Sequence, residues 1–318
     1  MTPETRFAIL AACIYLPLGL GYLARRLGML KADTSRHISR AAILTLEPIT
    51  VLAGCWLLAI ASAGGALLVP VIGALVSLGL LGVAFVGAAV LGLEGPRRGA
   101  YLNCGMMSNI GMSLGGFICY MFLGVQGQGL SVLYTAHFLP VCFTLGVILA
   151  SHYARRGEAT AGQTLRGVAR NPLVLVPNSA LVVGLALNAA GVAVPAWVGP
   201  FNAAVVFAVV GVHSFSIGLT LRLGRVGAYW REAVTLAATK FALGPLIAAA
   251  VVSLLGQWGA YGGTLWRVAL IEGAMPVAIF ATVVSNIFGL DRDLANSAWV
   301  ITTLACAPVI PVLYLLTR

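Results

Sequence analysis

Charge is scarce in this chain. Only 9% of its 318 residues are charged, where soluble domains carry about 25%. An exterior that meets water on every side is excluded. Catalytic signatures are missing too: no HExxH, no GxSxG and no paired intramembrane aspartates appear, so the chain does not read as an enzyme. Its six cysteines (Cys13, Cys55, Cys104, Cys119, Cys142 and Cys306) all fall in apolar runs, without CxxC or Cys/His spacing. Neither a disulfide framework nor a cysteine-metal site follows. The first apolar run ends in Arg25 and Arg26 and lacks a small-residue cleavage site. It reads as a spanning helix and not as a signal peptide.

What is present is apolar length. Hydrophobic residues make up 60% of the chain, and mean hydropathy is +0.99. A crossing needs about 20 apolar residues, so the charge-poor runs predict ten helices. They are expected near 5–24, 39–60, 66–92, 99–122, 130–152, 172–190, 197–220, 232–255, 266–288 and 294–316. The expected class is an all-α polytopic membrane protein.

Basic residues orient the bundle. Alternate loops hold Arg25, Arg26, Lys31, Arg36 and Arg40, then Arg97 and Arg98, then Arg155, Arg156, Arg166 and Arg170. The next loops on that side hold Arg222, Arg225 and Arg231, and finally Arg292. The opposite loops hold only Arg267. Positive-inside logic places the crowded side in the cytoplasm and both termini outside, in a plasma membrane of the bacterial inner type. The net charge of +10 is thus a topogenic signal, and no nucleic-acid partner is expected. Trp56, Trp197, Trp230, Trp258 and Trp266 lie near expected span ends, as an interfacial belt would.

Residues 153–170 form a polar linker between 1–152 and 171–318, each with five expected helices. The second half then enters from the opposite face, and related halves would form an inverted repeat with panel and core domains interleaved from both. In such repeats the site lies at the interface, on broken helices. Two segments look broken. Leu270 to Asn286 reads LIEGAMPVAIFATVVSN, with Glu272 deep in an apolar run and Pro276 four residues later. Asn103 onward reads NCGMMSNIGMSLGG, carrying Asn103, Ser108, Asn109 and Ser113. Proline removes a backbone donor and clashes with the preceding turn. Membranes tolerate such a break only where protein or a watered cavity satisfies the freed groups.

The N-terminal stretch LGLGYLARRLGMLKADTSRHISRAAILTLEPITVLAG resembles the auxin efflux carrier family, whose bacterial members open with G-Y-L-x-R-R-x-G-x-L. Here those positions are Gly21, Tyr22, Leu23, Arg25, Arg26, Gly28 and Leu30, with Pro48 in helix two. AMPVAIFATVVSNIFGLD is similar to that family's ninth helix. The resemblance implies two inverted five-helix repeats with helices four and nine crossed, the architecture of the bile acid sodium symporters. It also implies a sodium site at Ser108, Asn109, Ser131, Thr135 and Glu272. Pro276 stands where the symporters carry a second-site Gln, so only one sodium site is implied.

Those residues are also coherent on their own, because hard monovalent cations take hydroxyl, amide, carboxylate and unwound carbonyl oxygens. Read alone, Glu272 is either a sodium ligand or a proton carrier. Asn103, Asn109, Met112 and Pro276 are the candidate substrate contacts, with Glu47 and Lys240 beside them. Glu47 lies seven residues in from Arg40, roughly 10 Å at 1.5 Å per residue. Lys240 lies nine residues past Arg231 at a similar depth. They either form a buried pair, or Lys240 snorkels to the interface while Glu47 meets water. His137 and His213 read as hydrogen-bonded core residues sooner than proton relays.

The expected function is alternating-access transport of a small organic anion, the carboxylate preference coming from the resemblance, by a sodium-coupled symporter. Proton-coupled or uncoupled carriage, and a receptor or scaffold that binds ligand without flux, are the alternatives. Sodium is the expected cofactor, with lipid and the anionic solute as partners. Monomer and homodimer are both left open.

Overall fold

The computed structural model describes residues 3–31, 33–60, 63–111, 113–154, 166–167, 170, 172–221 and 227–318. The described residues are helical almost throughout, as continuous apolar runs with internal backbone hydrogen bonding dictate. Among the described residues, eight helical stretches are long and apolar enough to cross a membrane: 8–26, 37–57, 65–90, 114–153, 172–189, 198–220, 227–254 and 292–317. Two further segments, 95–106 and 264–287, are helical in shorter pieces.

Two compact units share the chain. The first takes Met1–Ile60, Gly111–Leu133 and Asn171–Arg222, and the second Ala61–Ile110, Tyr134–Arg170 and Leu223–Arg318.

In the first unit, α1 (Pro3–Arg26), α2 (Thr34–Leu57), α7 (Pro172–Ala189) and α8 (Val198–Thr220) pack together, and Gly129 of α5 (Leu114–Tyr134) lies close to the Gly54 carbonyl of α2. Lipid offers helices no hydrophobic contrast, so close backbone approach carries their association. Gly21 and Gly218 face one another across α1 and α8, and a Cβ on Gly218 would collide with the Leu18 carbonyl. The two N–H groups of Asn188 are shared among the carbonyls of Cys55, Trp56 and Leu58, capping the end of α2. Those three carbonyls have no partner inside the helix.

The second unit contains α3 (Ala63–Val90), α4 (Gly95–Met106), α6 (Thr144–Tyr153), α9 (Trp230–Ala238), α10 (Gly244–Leu254), α11 (Thr264–Gly273), α12 (Ile279–Ile287) and α13 (Arg292–Thr317). Wide π turns at Phe138–Phe143 and Thr239–Leu243 lead into α6 and α10. Such turns cluster at functional sites.

The helix expected at 99–122 is interrupted, as its polar stretch from Asn103 suggests. It stops at Met106 and resumes at Leu114. Expected helix five starts early, because its first turns abut the resumed piece at Gly124, where φ is 69°. That left-handed backbone is open to glycine without a Cβ penalty. A helix-to-helix joint there needs no loop.

Candidate functional site

Residues 107–110 of the first interruption meet 274–278 of the second inside the second unit. After Met106 the chain runs extended, and Ser108 pairs with Val277 as an isolated antiparallel bridge. The Asn109 amide donates to the Pro276 carbonyl at 2.8 Å, and the Ala278 amide donates to the Met107 carbonyl at 3.0 Å. Val277 donates its own amide to Thr302 Oγ1 at 3.1 Å. Pro276 explains where α11 stops, since it cannot donate to the turn before it. Each break supplies the backbone partners that the other has lost, as buried unwound backbone requires.

Two ionisable side chains are buried in this unit at or beside the breaks. Glu272 sits in the last turn of α11 and is 1% exposed. Lys240 lies in the π turn before α10 and is 0% exposed. Its ammonium donates to the Gly105 carbonyl at 2.5 Å, to Ser108 Oγ at 2.8 Å and to the Met107 carbonyl at 3.3 Å. An ammonium has three donors, and all three are engaged here. They cap the C-terminal end of α4, where the helix dipole favours a cation. Four residues later a Cβ on Gly244 would collide with the Gly273 carbonyl. The helix carrying Lys240 therefore touches the stop of α4 and the stop of α11 alike.

Each expected site residue can now be placed. Asn103 is buried on α4 and donates to the Gly99 carbonyl at 3.0 Å. Its Oδ1 has no hydrogen-bond partner among the described residues. Asn109 and Pro276 are joined through their backbones, and Met112 lies outside the described residues. Ser108 and Glu272 lie in the second unit, as does Thr135 at the start of a 3-10 turn. Ser131 belongs to the first unit, where it donates to the Gly111 carbonyl at 3.4 Å.

Glu47 and Lys240 do not pair, and Lys240 does not snorkel. Glu47 Oε1 instead lies 2.8 Å from His213 Nε2 within the first unit. Helix depth alone could not find this, because it ranks distance along the membrane normal and says nothing of direction around it. His137 is held at both ring nitrogens, by the Tyr134 carbonyl at 2.6 Å and Ser77 Oγ at 2.9 Å.

One member of the expected sodium set already has a cationic partner. Ser108, one of its oxygens, already accepts from a buried ammonium. A second unit cation within about 4 Å of that ammonium would meet a repulsion of about 4 kcal/mol at an effective dielectric near 20. Ser108 Oγ, with the Gly105 and Met107 carbonyls, is engaged by the protein's own charge.

Three polar features escaped the sequence reading. Thr302 receives the Val277 amide, yet a single threonine in an apolar helix carries no distinguishing signal. In the first unit, a cavity of about 10 Å³, the room of one water, is lined by Thr50, Ser113, Gln128 and Phe117 among others. Asn202 donates to Gln128 Oε1 at 2.7 Å beside it. Both amides interrupt apolar runs as Asn103 does, and that signal was available.

Comparison with known proteins gives this geometry a context. Residues 141–314 match the family described as membrane transport protein. An uncharacterized transporter of Methanothermobacter thermautotrophicus is 23% identical over 294 residues, covering 92% of each chain.

Proposed function

Since the chain belongs to the membrane transport protein family of the auxin efflux carrier type, we propose that it is a secondary transporter of a small organic anion. Its working centre is the pair of unwound segments at 107–110 and 274–278. One observation carries this reading: the two breaks satisfy one another's backbone while Glu272 and Lys240 are buried in the same unit. Ionisable groups inside a membrane protein are costly and mark substrate or ion pathways. A broken helix offers unwound carbonyls to cations and a half-helix N-terminus to anions.

In this reading the interrupted segment 95–123, the passage from Gly124 to Tyr153 and the interrupted segment 264–287 complete ten crossings in two inverted repeats. The half-helix beginning at Ile279 brings a positive dipole end to the paired breaks, which favours a carboxylate. Asn103, with its buried unpartnered Oδ1, is the nearest polar group on α4 for a hydroxyl or a protonated substrate oxygen. The carrier works by alternating access and is coupled to an ion.

Uptake by reconstituted proteoliposomes is the test. A panel of mono- and dicarboxylates is offered under an imposed sodium gradient, an imposed proton gradient, or neither. Saturable uptake of one carboxylate class, lost in Glu272→Gln, is expected. Ligand-dependent stabilisation without flux would instead make the chain a binding protein on a transporter fold.

A further inference from the structure

We propose that Lys240 is a tethered cation seated in the oxygen cradle at the end of α4, so that the carrier works without free sodium. The proposal rests on the transporter reading above, and deepens it by removing sodium from the cycle. The cradle is built from the Gly105 and Met107 carbonyls and Ser108 Oγ, all within hydrogen-bond distance of one nitrogen. These are the oxygen types that bind hard monovalent cations, presented by the unwound end of a half-helix. The nitrogen at their centre is 0% exposed. No donor on it is left over, so Lys240 contributes charge and position to the substrate and not a hydrogen bond of its own.

Its helix also makes the seat a fixed one. The π turn Thr239–Leu243 places Lys240 against α4, and Gly244 lies against the Gly273 carbonyl. A free ion can leave such a cradle at each cycle, while a side chain anchored on both sides stays. Truncating the lysine should therefore uncover a binding site for a small monovalent cation.

Melting of purified full-length protein in detergent tests this without any need for flux. Sodium, potassium and choline chloride are compared at equal ionic strength. Wild type is expected to melt at the same temperature in all three. Lys240→Ala should melt lower in choline and recover by about 3 °C or more in sodium or potassium, because a ligand specific to the folded state stabilises by mass action. Wild-type stabilisation by sodium over both potassium and choline would overturn the proposal. So would a folded Lys240→Ala that ignores all three salts. If that variant does not fold, Lys240→Met at a lowered temperature gives the same comparison, and the wild-type result decides alone if neither does. Carboxylate uptake that is absent under every gradient sinks the transporter reading and leaves these melting outcomes standing. Uptake that requires sodium in the wild type sinks the tethered cation alone.

Discussion

The Asn109 amide lies 2.8 Å from the Pro276 carbonyl. That hydrogen bond joins two helix interruptions far apart in sequence, and with the Ala278 to Met107 bond it fixes their register. Unwound backbone is tolerable in a membrane only under such mutual satisfaction. The pairing also makes the breaks interdependent, since restoring helix on one side withdraws partners from the other.

Pro276→Ala should therefore impair function without harming the fold. Alanine returns a donor to the turn ending at Glu272 and removes the ring clash, an obstacle worth about 3 kcal/mol in a helix. Helix would then grow across 274–278, drawing the Pro276 carbonyl away from Asn109. Reconstituted uptake is expected to fall on the order of 100-fold, the scale of an ångström's misplacement at a site. Melting should stay level or rise. Unchanged uptake would mean that the interruption is structural decoration.

Glu47 and His213 form an ionisable contact 2.8 Å apart in the first unit. Both side chains keep some exposure, so the pair is worth less than a fully buried one. A double-mutant cycle of Glu47→Gln and His213→Gln, read by melting, should show a coupling of about 1 kcal/mol. Additive effects would show that the two side chains do not depend on each other. Lys240→Met should leave this coupling as it is, since Lys240 has its partners at the end of α4.

Composition and apolar spacing were enough to read the helical class and the disturbed character of 103–116 and 270–286. Pro276 marks its own break, because its ring forbids the next turn of helix. The stop after Met106 is softer: no proline marks it, and only Asn103, Ser108 and Asn109 hinted at it. Partners were the illegible part. Lys240 reaches Ser108 because a π turn alters the helical register at Thr239–Leu243, and nothing in TKFAL announces such a turn. Glu47 found His213 through the azimuth of two helices, a quantity that hydropathy does not contain.

Gly218 tests the packing of the first unit. A Cβ there would strike the Leu18 carbonyl and crowd the Tyr22 amide. Because both are backbone atoms, the neighbours cannot turn aside as a flexible side chain would. Gly218→Ala should destabilise by about 1–3 kcal/mol, the usual cost of overpacking. Gly19 lies on the same α1, and a Cβ added there would meet nothing within 4 Å, so Gly19→Ala should be near neutral. Equal melting of the two variants would contradict the close crossing of α1 and α8.

Arg97 and Glu232 bond across the second unit, but their surroundings are unequal. The Arg97 side chain is 47% exposed and the Glu232 side chain 4%. Removing the arginine strands a carboxylate away from water, whereas removing the glutamate frees a guanidinium that water and the Tyr229 ring, 5.5 Å away, can receive. Loss of one partner of a buried pair costs about 3–5 kcal/mol when the survivor stays buried, and exposed charges contribute about 1 kcal/mol or less. Arg97→Ala should thus melt well below Glu232→Ala, and Arg97→Ala with Glu232→Ala together should recover most of the loss. The ordering is the informative measurement: if Glu232→Ala proves the more damaging, the carboxylate must hold up more than this one partner, and the asymmetry of burial would not be what governs the pair.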